Sequence, residues 1–404
     1  MKGSDYMKNS FISVSANPNN SKWNNIVSRI TPLYSRANDV RSEFERDFNR
    51  IIHSNAYRRL KHKTQVFFSP QNDHICTRIE HVNLVESISY TLSHYLGLNE
   101  ELTRAIAVSH DLGHAPFGHK GEKVLNEICK RDLNTSFWHE KNGLYFVDNI
   151  ELLEDYEGYK QNLNLTYGVR DGIVSHCGEI NENSVFPRND FIDLSHYEYP
   201  NQFSPYTWEG CVVKIADKIS YIGRDIEDAI TLGLLDEHLE ELYSLIGVRD
   251  VTINNTVIIN NLIYDLCNNS SPDKGICFSN KSLEIMNKIK DFNYKYIYFN
   301  DILKPSDNYF EVVIYQIYNT LKNLYNGNDT YSVFDKYKKF YPNLLNSFSD
   351  WLNNFSTLSD RKKLKNNILF DMSIPENYYF AIICYISGMT DKFAIDTYNE
   401  IIGF

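Results

Sequence analysis

Apolar residues recur along this chain mostly at helical spacing. Period-3.6 patterns occupy 41–61, 81–96, 100–112, 119–131, 139–153, 207–232, 308–325, 334–354 and 376–402. Each can bury one stripe against a neighbour while its opposite face stays in water. Alternating runs that fit strands are few, the candidates being 251–257 and 294–299. The pattern predicts an all-α protein with a few short strands. Residues 1–35 show no period and read as a loosely held N-terminal arm, while 161–166 and 180–204 read as loops. The second loop carries Pro187, Pro200 and Pro205, and its length suggests a functional insertion or an oligomer contact. This leaves a core over 36–235 and a mainly helical region over 236–404 packed on it.

Composition narrows the classes. A chain of 404 residues with 42% hydrophobic residues can bury a sizeable core. No apolar run is long enough to span a bilayer, and the polar first 20 residues lack the apolar centre of a signal peptide, which makes the cytoplasm the expected compartment. Seven cysteines without a C-x-x-C pair argue against a disulfide framework and against a structural zinc. A net charge of −11 disfavours whole-surface binding to nucleic acid or anionic membrane, so any anion site must be local. One local source of charge is Arg46, Arg50, Arg58, Arg59, Lys61 and Lys63. Either they form a solvated basic helix paired with Glu43, Glu45 and Asp47, or with Arg78 they bind a triphosphate.

The candidate chemistry sits at 110–122, His-Asp-Leu-Gly-His-Ala-Pro-Phe-Gly-His-Lys-Gly-Glu, where a helical segment breaks into a Gly/Pro turn. Gly113 reads as a helix cap that sets His110 and Asp111 on the last turn, both facing one cleft. His81 opens an amphipathic stretch, and Asp217 is a lone carboxylate in the apolar run 212–221. A buried carboxylate needs a cation or hydrogen bonds to offset its desolvation. His81, His110, Asp111 and Asp217 supply two neutral and two anionic ligands, a set that balances one divalent ion such as Mn, Fe, Mg or Zn and leaves positions open for substrate.

The H…HD…D pattern resembles the HD-domain phosphohydrolase superfamily. Within it, the words 46–54, Arg58-Arg59-Leu60, Lys63-Thr64-Gln65-Val66-Phe67 and 109–122 are similar to the deoxyguanosine triphosphate triphosphohydrolase (dGTPase) family of dNTPases. Further blocks follow in the same order: Asp171-Gly172-Ile173, Ser175-His176-Cys177-Gly178-Glu179, 217–225 and Gly388-Met389-Thr390-Asp391-Lys392, so the likeness covers about 36–395.

The resemblance implies an HD-domain fold with additional C-terminal helices. It also implies a metal-dependent enzyme that converts a deoxynucleoside triphosphate into a deoxynucleoside and inorganic triphosphate. The leaving group of that reaction is the sugar 5′ oxygen, an alkoxide that requires a proton. A general acid there typically supplies about 10²–10⁴ in rate. The family match gives that work to His119 and Glu122; Glu122, three residues on, can orient His119 and raise its pKa. His114 either contacts the α-phosphate or caps the turn. By the same match Gln65 senses the 3′ hydroxyl, Tyr221 and Asp225 line the deoxyribose, and Arg78 and Lys218 contact phosphates. His139 and Glu140 match a block near a second metal or phosphate site. On the residues alone, Tyr221 is one more core aromatic among 29 tyrosines. His53, His62, His94, His196 and His238 take structural roles.

The implied partners are a dNTP substrate, a second dNTP or single-stranded DNA as candidate effectors, and further copies of the chain in a hexamer or tetramer. Another HD phosphohydrolase, such as a nucleoside monophosphatase or cyclic-nucleotide phosphodiesterase, and a non-catalytic nucleotide-sensing scaffold are the alternative readings. Base preference, metal identity and physiological role, dNTP pool control or phage defence, stay open at this level.

Overall fold

A computed structural model of the chain describes residues 10–33, 38–68, 72–176, 183–246 and 255–403. Helices dominate it, with two short two-stranded sheets among the described residues. The fold class is therefore all-α.

The chain divides into two compact units that interleave along the sequence. The first takes residues 1–51, 66–110 and 165–303; the second takes 52–65, 111–164 and 304–404. A split at 235/236 into core and C-terminal region thus falls inside the first unit, because the helices on both sides of that point share one core.

At the centre of the first unit, helices Arg78–Leu96, Glu100–Ser109, Tyr167–Ser175 and Trp208–Thr231 pack on one another. Each start has a local cause. Glu80 accepts a hydrogen bond from the Thr77 backbone N–H at 2.7 Å, Asn99 accepts one from Leu102, and Thr207 accepts one from Gly210. Such caps satisfy donors that the first turn leaves open. Leu92, Leu96, Leu102, Ile106, Val212, Ile219 and Ile222 fill the space between the helices. A Cβ on Gly172 would lie 2.5 Å from the Ile106 side chain, so the Tyr167–Ser175 helix can lie this close only with glycine there.

The described part of the N-terminal arm, residues 10–33, is packed, contrary to expectation. Phe11 and Ile26 are buried, Phe11 N–H donates to the Leu96 carbonyl at 3.0 Å, and Ala16 N–H donates to Glu209 at 2.9 Å. Isolated apolar anchors in a polar stretch leave no period to read. The strand expected at 294–299 is instead a widened helical turn, Tyr294–Tyr298, that extends helix Asn280–Asn293. Of the other candidate, residues 255–257 begin helix Asn255–Asn269 and 251–254 lie outside the described residues. The strands that do form in this unit pair Ser184 with Cys277 and Val185 with Ile276.

In the second unit, helices Gly118–Leu133, Lys304–Asn323, Pro375–Ser387 and Asp391–Ile402 form the packed centre. Helix His139–Tyr145 runs on through a widened turn, Phe146–Ile150, and stops at an antiparallel hairpin that pairs Leu152–Glu154 with Lys160–Asn162. That hairpin replaces the end of the 139–153 helix and the start of the 161–166 loop.

Candidate active site

His81, His110 and Asp217 come together in the first unit, from three different helices. His110 is the residue that ends helix Glu100–Ser109, and its Nδ1 bonds the Ala107 carbonyl at 2.7 Å. Ser220 gives its own hydroxyl hydrogen to the Asp217 carbonyl at 2.8 Å, so its oxygen is left to accept from His81 Nδ1 at 3.2 Å. Both rings therefore carry their proton on Nδ1 and turn the Nε2 lone pair inward. The two Nε2 atoms lie 3.4 Å apart, and Asp217 Oδ1 is 3.0 Å from that of His81 and 3.8 Å from that of His110.

Two lone pairs aimed at each other across that distance repel unless a cation lies between them. Ligands held about 2.0–2.2 Å from one ion at ordinary angles stand roughly 3–3.5 Å apart. The donor set thus fits a divalent metal. A backbone carbonyl or hydroxyl on the far ring nitrogen is the usual way a ligating imidazole is aimed. Burial pushes the Asp217 carboxyl up; only with the imidazoles protonated would a His81 hydrogen bond and their positive charge outweigh it and hold the carboxyl below its ordinary range.

Asp111 follows His110 in the chain and is the first residue of the next stretch of the second unit. Its Oδ1 lies 3.1 Å from His114 Nε2. Gly113 does not cap a helix: a Cβ there would meet the His139 carbonyl oxygen at 2.0 Å and the Gly143 nitrogen at 2.1 Å. Glycine is needed because the turn lies against helix His139–Tyr145.

A second cluster forms within the second unit. One ligand atom from each of His114, His119, Glu122 and His139 falls within 4.8 Å of the others. Glu122 was expected to serve His119, yet its nearer imidazole is His139, whose Nδ1 is 3.0 Å from Oε2 and whose backbone N–H donates to Oε1 at 3.2 Å. His119 Nδ1 stands 3.5 Å from the same Oε2. The His114 and His139 rings stack with centroids 3.8 Å apart. Burial raises the Glu122 pKa, but the charge of His139 and hydrogen bonds from both imidazoles dominate and hold it well below the ordinary value. The His119 side chain is 76% exposed, whereas those of His114 and His139 are buried.

Two long-range contacts fix the turn in this unit. Asp391 accepts the Phe117 N–H at 2.9 Å through one oxygen and the Thr64 N–H at 2.7 Å through the other, which also takes the Thr64 hydroxyl. Phe117 sits at φ 63°, a left-handed conformation that a non-glycine residue holds only when its surroundings fix it. Lys63 donates to the His114 and Ser387 carbonyls. Sequence reading gave Asp391 no role, although it lies in one of the quoted blocks.

The expected substrate residues divide between the units. Arg78, Lys218, Tyr221 and Asp225 belong to the first, with Lys218, Tyr221 and Asp225 on the Asp217 helix. Gln65, His139 and Glu140 belong to the second. Burial drives the Asp225 pKa up to about 7, against a hydrogen bond donated by Tyr298. Tyr298 was not foreseen, since one tyrosine in a Tyr-rich stretch carries no motif. The six-cation cluster does not form one face: Ser54 caps a new helix at Asn55–Arg59, Arg46 pairs with Asp39 and Glu43, and Arg59 pairs with Glu151 at 2.7 Å.

Residues 78–222, which carry His81, His110, Asp111 and Asp217, match the family model described as an HD domain. A deoxyguanosinetriphosphate triphosphohydrolase-like protein of Caldanaerobacter subterraneus subsp. tengcongensis is 32% identical over 365 residues, 90% of this chain and 86% of that one. The chain belongs to this HD-domain family. Other deoxyguanosinetriphosphate triphosphohydrolase-like members, from Clostridium tetani and Rickettsia rickettsii, are each 31% identical, over 96% and 89% of this chain and 93% and 91% of their own. Membership makes the protein a phosphohydrolase, and HD domains are metal-dependent. Among the described residues no helix is long and apolar enough to cross a membrane.

Proposed function

We propose that this HD-family member is a dNTP triphosphohydrolase that releases a deoxynucleoside and intact triphosphate. The observation that carries the reading is the pair of inward-facing Nε2 atoms on His81 and His110 beside the Asp217 carboxylate. Asp111 is the fourth residue assigned to the divalent ion, whose identity among Mn, Mg, Fe and other metals is open. Such an ion, when bound, polarises phosphate oxygens and offsets charge that develops on them.

The chain's own residues do the rest. Arg78 and Lys218 bind the phosphates, Tyr221 and Asp225 pack on the deoxyribose, and Gln65 contacts the 3′ hydroxyl. A 2′ hydroxyl in that wall would lose its water and gain no partner. Water adds to the α-phosphorus as its bond to the 5′ oxygen breaks. His119 delivers its proton to that oxygen, and the proton shed by the water passes to solvent. His119 suits the task because its ring is exposed enough to regain a proton from water while Glu122 stays charged beside it. His139 holds the Glu122 carboxylate and stacks on His114, which either contacts the α-phosphate or caps the turn, and Glu140, 3.4 Å from His139, backs that ring in a block matched to a second metal or phosphate site.

A dNTP as effector, in place of or beside single-stranded DNA, has support of its own. A cavity of about 870 Å³ in the second unit is lined by His53, Arg58 and Lys160 and by the aromatic rings of Trp351, Phe355 and Tyr385. Cations and aromatic rings in one wall suit a nucleotide, against the carboxylates of Glu151 and Glu154 in the same wall. A homo-oligomer, hexamer or tetramer, and a cytoplasmic setting complete the reading.

Incubating the protein with each dNTP, each of several divalent metals, and ¹⁸O-labelled water tests it, with and without a second dNTP. Label should enter triphosphate and none the nucleoside. A deoxynucleoside monophosphate with pyrophosphate would overturn the reading.

A further inference from the structure

The Asp225 carboxyl, assigned to the deoxyribose wall, has one oxygen held and one left over. Tyr298 donates its hydroxyl hydrogen to Oδ2, whereas Oδ1 is buried and has no hydrogen-bond partner among the described residues. The residue as a whole is 2% exposed. A buried polar atom without a partner costs free energy, and folded proteins keep few of them. The arrangement asks for a partner that arrives with a ligand.

The grip on Oδ2 is itself directed. Asn293 ends helix Asn280–Asn293, and its amide donates to the Ile222 carbonyl at 3.1 Å and to the Tyr298 oxygen. A tyrosine oxygen that already accepts turns its own hydrogen elsewhere, here to Asp225. The widened turn Tyr294–Tyr298 makes this possible. Phe299 N–H reaches the Tyr294 carbonyl at 3.2 Å, five residues back where an ordinary turn would reach four. With that extra residue, Asn293 and Tyr298 both meet helix Trp208–Thr231, the first at Ile222 and the second at Asp225.

The charged groups that act on Asp225 are His81, Asp228 and Arg78, all of this unit. Asp228 is already engaged, accepting the Cys76 N–H at 3.0 Å. His81 belongs to the metal cluster and Arg78 to the phosphate contacts, while Tyr221, one turn before Asp225, lies near Tyr298. Asp225 thus stands among groups already given to the substrate. A dNTP carries one free sugar hydroxyl, at the 3′ carbon. A hydroxyl both donates and accepts, so it can pair with Oδ1 whether the carboxyl is ionised or protonated; a phosphate or ring oxygen, which only accepts, can pair with the protonated form alone.

We infer that Tyr298 is a positioning residue that fixes the Asp225 carboxyl by Oδ2 so that Oδ1 meets the 3′ hydroxyl of the substrate sugar. The inference rests on the triphosphohydrolase reading and adds to it a residue outside the matched segment 78–222. The test compares wild type, Tyr298→Phe and Asn293→Ala on a dNTP and on the 2′,3′-dideoxynucleotide of the same base, with the same metal, and follows kcat, KM and melting temperature. Wild type should favour the dNTP by about tenfold or more in kcat/KM, the scale of one well-made hydrogen bond. In the Phe variant, which lacks only the hydroxyl, kcat/KM for the dNTP should fall about 5–10-fold while that for the dideoxynucleotide stays within about twofold, so the preference shrinks. Asn293→Ala should move the same ratio in the same direction by less. A folded Phe variant that loses equally on both substrates would have lost structure alone and would overturn the inference, as would an undiminished preference. Should the Phe variant fail to fold, Asn293→Ala decides by the same ratio, a reduced preference supporting the inference and an unreduced one defeating it. Wild type that cleaves both substrates alike would defeat it too. Wild type that releases triphosphate from neither would instead bring down the triphosphohydrolase reading, and this inference with it.

Discussion

The two histidine clusters are built on opposite plans. In the first unit, His81 and His110 are buried, and each has its far nitrogen tied to a backbone carbonyl or to Ser220, so neither ring can turn. In the second, His119 is largely exposed, and Glu122 is shared between two imidazoles. A metal ligand must keep one lone pair on one line, whereas a proton donor must lose a proton and regain it from water. Fixed rings suit the first task, and an exposed ring beside a charged carboxylate suits the second. The comparison predicts that damage to the two clusters will separate into loss of metal and loss of turnover.

The largest effect should come from Asp217→Ala, which removes the anion both Nε2 atoms face. Bound metal and activity should vanish together, the latter by about 10³-fold or more. Elemental analysis showing stoichiometric metal in that variant would erase the distinction between the clusters. His119→Ala should sharpen it from the other side, with metal content and melting temperature unchanged and kcat down about 10²-fold. Wild-type turnover in that variant would mean the acid is another residue.

A third test asks whether the second cluster depends on its frame. Asp391→Ala strands the buried Phe117 N–H and the Thr64 N–H, each a loss of about 1–3 kcal/mol, so denaturant melts should show roughly 2–6 kcal/mol of destabilisation. A variant as stable as wild type would show that other contacts hold the turn. The smallest effect concerns pH in the first unit. With its pKa raised to about 7 in the folded protein, Asp225 is protonated when folded and ionised when unfolded between roughly pH 4 and 7. Its contribution to stability is present at low pH and is lost as pH rises through that window. Asp225→Asn should therefore melt above wild type at pH 8 and close to it at pH 4; a constant difference across that range would refute the assignment.

That His81, His110 and Asp217 come together was legible in the sequence, because two imidazoles and a carboxylate stand out in helices with clear periods. The long-range frame was not. Asp391 and Thr64 are brought together by tertiary packing across 327 positions, and no local pattern records it. The arm and the strands failed for a related reason. Phe11 is a single anchor, and the Tyr-rich 294–299 run alternates in sequence but is held as a helical turn by the end of helix Asn280–Asn293. The interleaved units escape any reading by contiguous segments, because the chain leaves the first after His110 and returns to it at Leu165.

Asp391 also sets a timetable. A ribosome makes the His-Asp turn early and the residue that clasps it nearly three hundred residues later, since Phe117 and Asp391 are 274 positions apart. Throughout that interval the nascent chain carries its imidazoles on an unclasped turn, with Phe117 free to leave its left-handed conformation. A chain stopped before residue 391 would lack the carboxylate that accepts from both Phe117 and Thr64.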